Sequence, residues 1–321
     1  MGNTFYFQWE ADFMIWLQSV LGETGGKIAS FISVFGEELM LIAVLGFLYW
    51  CYDKKLGLKF GYNMCFIAIA FPVFKNLALR RRPYMDIEGI RCLKPVDKEA
   101  DVMDIVAQGY SFPSGHSANS ATLYGSVAYY FKKKPLIAIG IIIPFLVGCA
   151  RVCLGNHFPT DVFAGWLLGI IAVFGMPQIA KRNKHERKKW AYLVLFIIAA
   201  CFSFICRSND FFTGLGMLGG LFAGNLFEER FTKFESTKDP LFCVLRVAGG
   251  GAIYAVLNTL LKLPFSAEFL ASASAGQFAF RTFRYILILF IDLAIYPMVF
   301  KKFEPWFDSR FRKKEIKKIG L

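Results

Sequence analysis

With 321 residues, 56% of them hydrophobic, and a mean hydropathy of +0.45, the chain carries more apolar content than a soluble domain of its length. Its 37 basic residues outnumber 24 acidic ones, a formal charge of +13. The basic residues cluster in short loops between apolar runs. That pattern points to membrane topology and contact with anionic head groups, and it sets nucleic acid aside as a partner.

The first stretch, Phe5 to Leu21, alternates Trp9, Phe13, Ile15, Trp16 and Leu17 with Glu10, Asp12 and Gln18. It suits an interfacial helix better than a spanning one. Glu10 and Asp12 stand where a basic n-region would be, and no small-residue cleavage site follows, so no cleavable signal peptide is expected. Apolar runs of about membrane-spanning length then fall near 35–52, 58–79, 116–131, 136–153, 160–180, 190–207, 211–228, 242–262 and 278–300. Five of the eight cysteines (Cys51, Cys65, Cys149, Cys201, Cys206) sit inside such runs, as small core residues rather than a disulfide framework. Cys92 lies in a polar loop, where a pairing with Cys153 is conceivable but not favoured.

The loops sort by charge. Asp53-Lys54-Lys55, Lys132-Lys133-Lys134, the run Lys181 to Lys189 and the tail from Lys301 to Lys318 fall on one side, cytoplasmic by the positive-inside rule. The loops at 80–115, 154–160 and 263–277 fall on the other. Arg80, Arg81 and Arg82 break the rule there, and anion binding is a reason to keep them. The acidic residues between Asp86 and Asp104 share that loop, which is expected to cover a pocket and shape specificity.

After about residue 190 the composition shifts to apolar helices without comparable polar loops. Gly216, Gly220 and Gly224 recur every fourth residue, which lets membrane helices approach closely. Asp292 lies within the last run and is expected to make a polar contact between helices, with Arg246 its candidate partner. Glu228, Glu229 and Arg230 mark a helix end. Arg281 and Arg284, one turn apart, sit at the outer end of the last run, touching lipid phosphates or snorkelling. His185 belongs to a solvated basic loop.

Three polar clusters share the outer side: Lys75 with Arg82-Pro83; Pro113-Ser114-Gly115-His116; and Arg151, His157 and Asp161. Taken singly, each has an ordinary reading as a snorkelling cation, a helix start or a first-turn acid. Their convergence argues otherwise, since two of only three histidines lie beside cations at one level of the bilayer. Phosphoryl transfer asks for this set. Lys75, Arg82 and Arg151 can neutralise a phosphate and the charge that spreads over its oxygens. Ser114 and Gly115 open a helix whose N–H groups can face an anion. A neutral His157 can attack phosphorus if Asp161 holds its other nitrogen, which leaves His116 to protonate the leaving alkoxide.

The order and spacing of these clusters resemble the three-part signature of the type 2 phosphatidic acid phosphatase (PAP2) superfamily, over roughly residues 35–180. The resemblance implies an all-α, polytopic transmembrane bundle: a six-helix phosphatase core with the N-terminal interfacial helix over 1–185, and further membrane helices over 186–321. It implies a metal-independent, cofactor-free phosphatase with a phosphohistidine intermediate. His157 is then the nucleophile, Asp161 orients it and His116 is the acid. Lys75, Arg82, Ser114, Gly115 and Arg151 contact the phosphate. One departure is Ala150, where the family usually has serine. The expected substrate is a lipid phosphate or diphosphate, undecaprenyl diphosphate among the candidates, at the non-cytoplasmic face of the cell membrane. A lipid phosphotransferase using the same intermediate, and a transporter or scaffold with a phosphatase-like core, are the alternatives.

Overall fold

The computed structural model describes residues 2–182, 185–307 and 310, and the side chains of 180–189 lie outside the description. The basic run Lys181–Lys189, His185 within it, and most of the basic tail therefore fall outside the described side chains. Among the described residues the secondary structure is helical, with no strand beyond an isolated bridge between Asn3 and Arg80. Helices α1 (Gln8–Ser33), α2 (Glu38–Gly46), α3 (Lys54–Ala78), α4 (Pro83–Asp86), α5 (Ile105–Gln108), α6 (Gly115–Phe131) and α7 (Lys134–Cys153) are followed by α8 (Pro159–Arg182), α9 (His185–Cys201) and α10 (Asn209–Phe227). The chain closes with α11 (Pro240–Leu260), α12 (Ala267–Ala271), α13 (Ala275–Phe290) and α14 (Pro297–Phe307).

Among the described residues, five helical segments are long and apolar enough to cross a membrane: Lys54–Ala78, Lys134–Cys153, Pro159–Ile179, Pro240–Leu260 and Ala275–Phe307. A sixth arises if the bent pair Gln8–Gly36 and Glu38–Tyr52 counts as one span. The nine apolar runs of the sequence exceed this number for local reasons. The run at 116–131 becomes α6, only 17 residues long, and the run at 190–207 an apolar helix over Trp190–Phe204. The run at 211–228 becomes α10, diluted by glycines, Asp210 and Asn225. The run at 35–52 is one arm of the bent pair.

The chain forms two compact units, one of Met1–Leu41 with Tyr62–Gly214 and one of Ile42–Gly61 with Leu215–Leu321. The boundaries fall inside α2, α3 and α10. The expected division at 185/186 lies within the first unit, just where α9 begins.

In the first unit, α6 packs between α7 and α8 and α1 packs on α7. Small residues set these distances. A Cβ on Gly165 of α8 would stand 2.6 Å from the Ser114 carbonyl oxygen, so α8 touches the start of α6 backbone to backbone. The interfacial helix expected over 5–21 runs on to Ser33, with a break at Gly22 (φ 55°). Its Glu10, Ala11, Met14 and Gln18 face inward, while Trp9, Phe13, Trp16 and Leu21 are exposed. Ile141, Phe145, Phe163, Leu167 and Phe174 are likewise exposed on α7 and α8. Polar groups inside and aromatic rings outside suit a protein surrounded by hydrocarbon.

In the second unit the glycine repeat sets the packing of α10 on α13. A Cβ on Gly216 would meet the Thr282 carbonyl at 2.5 Å, and one on Gly220 the Ile286 carbonyl at 2.7 Å. Arg246 does not partner Asp292. It forms a bidentate pair with Glu304 (2.7 and 2.9 Å) and also donates to the carbonyls of Trp50 and Glu235. Four of the five N–H groups of its guanidinium are engaged by these partners, two of them on the Glu304 carboxylate. Asp292 lies in a π-helical turn, Ile291–Ile295, with Oδ1 buried and unbonded. Glu228 also opens a π-helical turn, where Lys54 pairs with it at 2.8 Å.

Candidate active site

Helix ends bring the three clusters together within the first unit. Lys75 lies in the last turn of α3, its ammonium 5.5 Å from the centre of the Phe71 ring. Arg82 caps α4, with Pro83 at the first helical position, where its missing N–H costs nothing. Ser114 caps α6, its oxygen accepting from Ser117. The Ser114 N–H donates to the Asp161 carbonyl at 3.0 Å, which ties the start of α6 to the start of α8. Gly115 and His116 follow in the first turn. Arg151 ends α7. The turn from there to His157 needs Gly155, whose φ is +79° and whose absent Cβ would stand 2.2 Å from the Arg91 carbonyl oxygen.

His157 is 2% exposed. Its Nδ1 lies 2.8 Å from the Ser111 carbonyl oxygen, and a carbonyl only accepts, so Nδ1 carries the proton. Nε2 is left with a lone pair. The Asp161 carboxylate, expected to hold this ring, stands 3.6 Å from Nδ1 at Oδ2, beyond a hydrogen bond. The reason is its other bonds. Oδ2 accepts the Phe158 N–H at 2.8 Å, and Oδ1 accepts Arg80 Nη1 at 2.6 Å.

Arg80 is the residue that sequence reasoning left among three similar arginines. It is 2% exposed and bridges Asp161 to Glu10 (2.9 Å), which is itself fully buried. Glu10 also accepts from the N–H and hydroxyl of Thr160, at 3.0 and 2.7 Å. Arg81 pairs with Asp86 at 3.1 Å. Of the three arginines that break the charge rule, two are therefore neutralised by carboxylates and are not anion ligands.

Arg82 differs. Its guanidinium donates to the carbonyls of Gln108, Gly109 and Asn156. Nε is shared between two of these oxygens, so three of five N–H groups are engaged and two remain. Gln108 in turn holds the acidic loop through Val96, Asp97 and Asp101. Arg151, 2% exposed, donates to the Ser33 hydroxyl at 2.9 Å, and its Nε is buried without a hydrogen bond. Asp161, the acid of the third cluster, is already committed to Arg80. Lys75, Arg82 and Arg151 thus bring positive charge to the histidines without a carboxylate of their own among the described residues. The two buried guanidiniums in that state, Arg82 and Arg151, call for an anion.

Burial, then the fields of Arg82, Arg151, Lys75 and His116, hold the His157 imidazole well below its ordinary 6.5. The ring is neutral at pH 6.5 and above, and it loses its nucleophilic lone pair only as pH falls below that. The folded chain binds this proton less readily than the unfolded one. Its contribution to stability is therefore whole above 6.5 and is lost as pH falls from there. Removing one field in Arg151→Leu should raise the His157 pKa. Ring resonances of the three histidines, followed by NMR against pH, measure the shift.

Among the described residues, no group of three or more His, Cys, Asp or Glu could hold a metal ion. All eight cysteines are free.

Residues 56–185 match the PAP2 superfamily, and residues 212–306 match the transmembrane extension of PAP2 superfamily phosphatases. The chain is 39% identical over 89 residues to phosphatidylglycerophosphatase B of Bacillus subtilis, covering 25% of this chain and 44% of that protein. It is 32% identical over 151 residues to undecaprenyl-diphosphatase of Sulfolobus acidocaldarius, covering 46% of this chain and 68% of that one. The crystal structure of the first transmembrane PAP2-type phosphatidylglycerolphosphate phosphatase, from Bacillus subtilis, aligns with a TM-score of 0.40 and 27% identity, over 55% of this chain and 86% of that chain. With two family models of the superfamily along its length and a relative covered over two thirds of its own, the chain is an integral membrane protein of the PAP2 superfamily.

Proposed function

We propose that the protein is a lipid phosphatase that removes phosphate from a phosphomonoester or diphosphate at the non-cytoplasmic face of the membrane, without a metal ion. The observation that carries this reading is the buried Arg151, without a carboxylate partner among the described residues, beside Arg82 and Lys75 and a histidine whose Nδ1 is already occupied. Residues 1–185 supply the chemistry, and 186–321 form an accessory membrane region. The relatives named above act on phosphatidylglycerol phosphate or undecaprenyl diphosphate by their names, and lipids of that kind are the first substrates to try. Basic loops opposite the site favour the non-cytoplasmic side.

In the first step the Nε2 lone pair of His157 attacks phosphorus and a P–N bond forms. The bond from phosphorus to the leaving oxygen breaks, and His116 gives that oxygen a proton. In the second step His116 takes a proton from water, whose oxygen attacks phosphorus as the P–N bond breaks. Lys75, Arg82, Arg151, the Ser114 hydroxyl and the N–H groups at Gly115 stabilise the phosphoryl oxygens throughout. Asp161 acts through the loop, holding Phe158 and hence His157, and through its charge. The Ser111 carbonyl fixes the tautomer.

A P–N bond is labile in acid and stable in base. Brief reaction with a lipid labelled in its phosphate, quenched in base, should leave label on a peptide containing His157 that acid removes. Label on serine, or on a His157→Ala variant, would contradict the mechanism.

A further inference from the structure

The second unit handles its inward-facing cations in two ways. Lys54 pairs with Glu228 at 2.8 Å, and Arg246 pairs with Glu304 at 2.7 Å. Arg284 has no such acid among the described residues. It is 3% exposed, its Nε is buried without a hydrogen bond, and its nearest described partners are the rings of Phe280 and Tyr285, 5.7 and 5.0 Å from the guanidinium carbon. A buried guanidinium in an apolar span is costly without an anion, and aromatic faces only partly replace one.

Its level in the bilayer identifies the anion. The span Ala275–Phe307 is 33 residues long, about 50 Å at 1.5 Å per residue and well beyond a hydrocarbon core of about 30 Å. Lys301 and Lys302 lie 17 and 18 residues after Arg284, about 26 Å along the axis. If the lysines reach one head-group layer, Arg284 sits at the inner edge of the other. Lipid phosphates lie just beyond that edge, within the reach of an arginine side chain. Gln277, Arg281 and Arg284 follow at helical spacing, so α13 presents a polar stripe from its N-terminal cap, Ser274, down to Arg284. A snorkelling arginine would be exposed. Arg284 is not.

We propose that Arg284 forms an anion site in the C-terminal extension that holds the phosphate of a bilayer phospholipid, its chains lying along the apolar flank of α13. This site is separate from the phosphatase chemistry and does not depend on it. A guanidinium is suited to the task because its planar fork takes two phosphate oxygens together.

The test uses the full-length protein in detergent and follows thermal unfolding while three probes are added: phosphatidylglycerol, a diacylglycerol with the same chains, and inorganic phosphate. Phosphatidylglycerol should raise the midpoint well above the diacylglycerol, and Arg284→Gln should remove most of that difference. Arg284→Lys, which keeps the charge but not the fork, should keep part of it, and it serves if the Gln variant does not fold. Equal rises in wild type and both variants would overturn the site. An equal rise with diacylglycerol would reduce the effect to hydrophobic contact and overturn it as well. A rise with inorganic phosphate alone, matching the lipid, would overturn the lipid assignment.

Discussion

Replacing Arg80 with leucine should cost about 3–5 kcal/mol, the usual penalty for leaving buried charge uncompensated, and should sharply lower the unfolding temperature of the purified protein. Two carboxylates depend on this one guanidinium. Glu10 and Asp161 are both fully buried, and they meet Arg80 at 2.9 and 2.6 Å. Glu10 keeps its bonds to Thr160, but no other cation reaches either acid within salt-bridge distance among the described residues. The neutral set should behave differently from the single variant. Adding Glu10→Gln and Asp161→Asn to Arg80→Leu removes the charges together, and a well-packed neutral cluster is often no less stable than the ions it replaces. The triple variant should recover much of the lost stability while remaining inactive, because the loop bearing His157 loses its anchor. If Arg80→Leu unfolds at the wild-type temperature, the bridge is not a stabilising element.

The two site histidines should respond differently to the leaving group. His157→Ala removes the nucleophile, and turnover of every phosphate ester should fall on the order of 10⁴-fold or more. His116→Ala removes only the proton donor, a loss of about 10²–10⁴-fold when the leaving oxygen is a basic lipid alkoxide. A nitrophenolate leaves without a proton. With nitrophenyl phosphate, His116→Ala should therefore regain much of the wild-type first step, seen as a burst of nitrophenol, whereas His157→Ala should stay inactive. Hydrolysis of the intermediate would remain slow in His116→Ala, since its base is gone. Equal losses of the first step on both esters in the His116 variant would remove it from the role of acid.

The catalytic set was legible in sequence because its members are close neighbours along the chain at helix ends, where spacing and charge fall together. Arg151, His157 and Asp161 occupy eleven residues, and their turn geometry follows from Gly155. What closes the site was not legible. The Ser111 carbonyl that holds His157 is a backbone group and leaves no trace in residue identity. Glu10 and Arg80 are 70 residues apart, and nothing local shows that they meet. Arg80 looked like its neighbours Arg81 and Arg82, yet the three have different partners: two carboxylates, one surface acid and a set of backbone carbonyls. An acid buried on an apolar N-terminal helix must find a cation. That pairing rule was the available signal. The nine apolar runs outnumber the helices long and apolar enough to cross alone for a related reason, since a run of 16 or 17 residues reads much like a longer one in sequence, as the run that becomes α6 does.

The most direct measurement of the central claim is phosphate release by the purified protein in detergent with chelator present. Phosphatidic acid, phosphatidylglycerol phosphate, a sphingoid phosphate and undecaprenyl diphosphate would each be compared with a soluble phosphate ester, for wild type and His157→Ala. Chelator-resistant turnover of at least one lipid, faster than the soluble ester and lost in His157→Ala, is the result predicted. Turnover that chelator abolishes, or that His157→Ala retains, would contradict it.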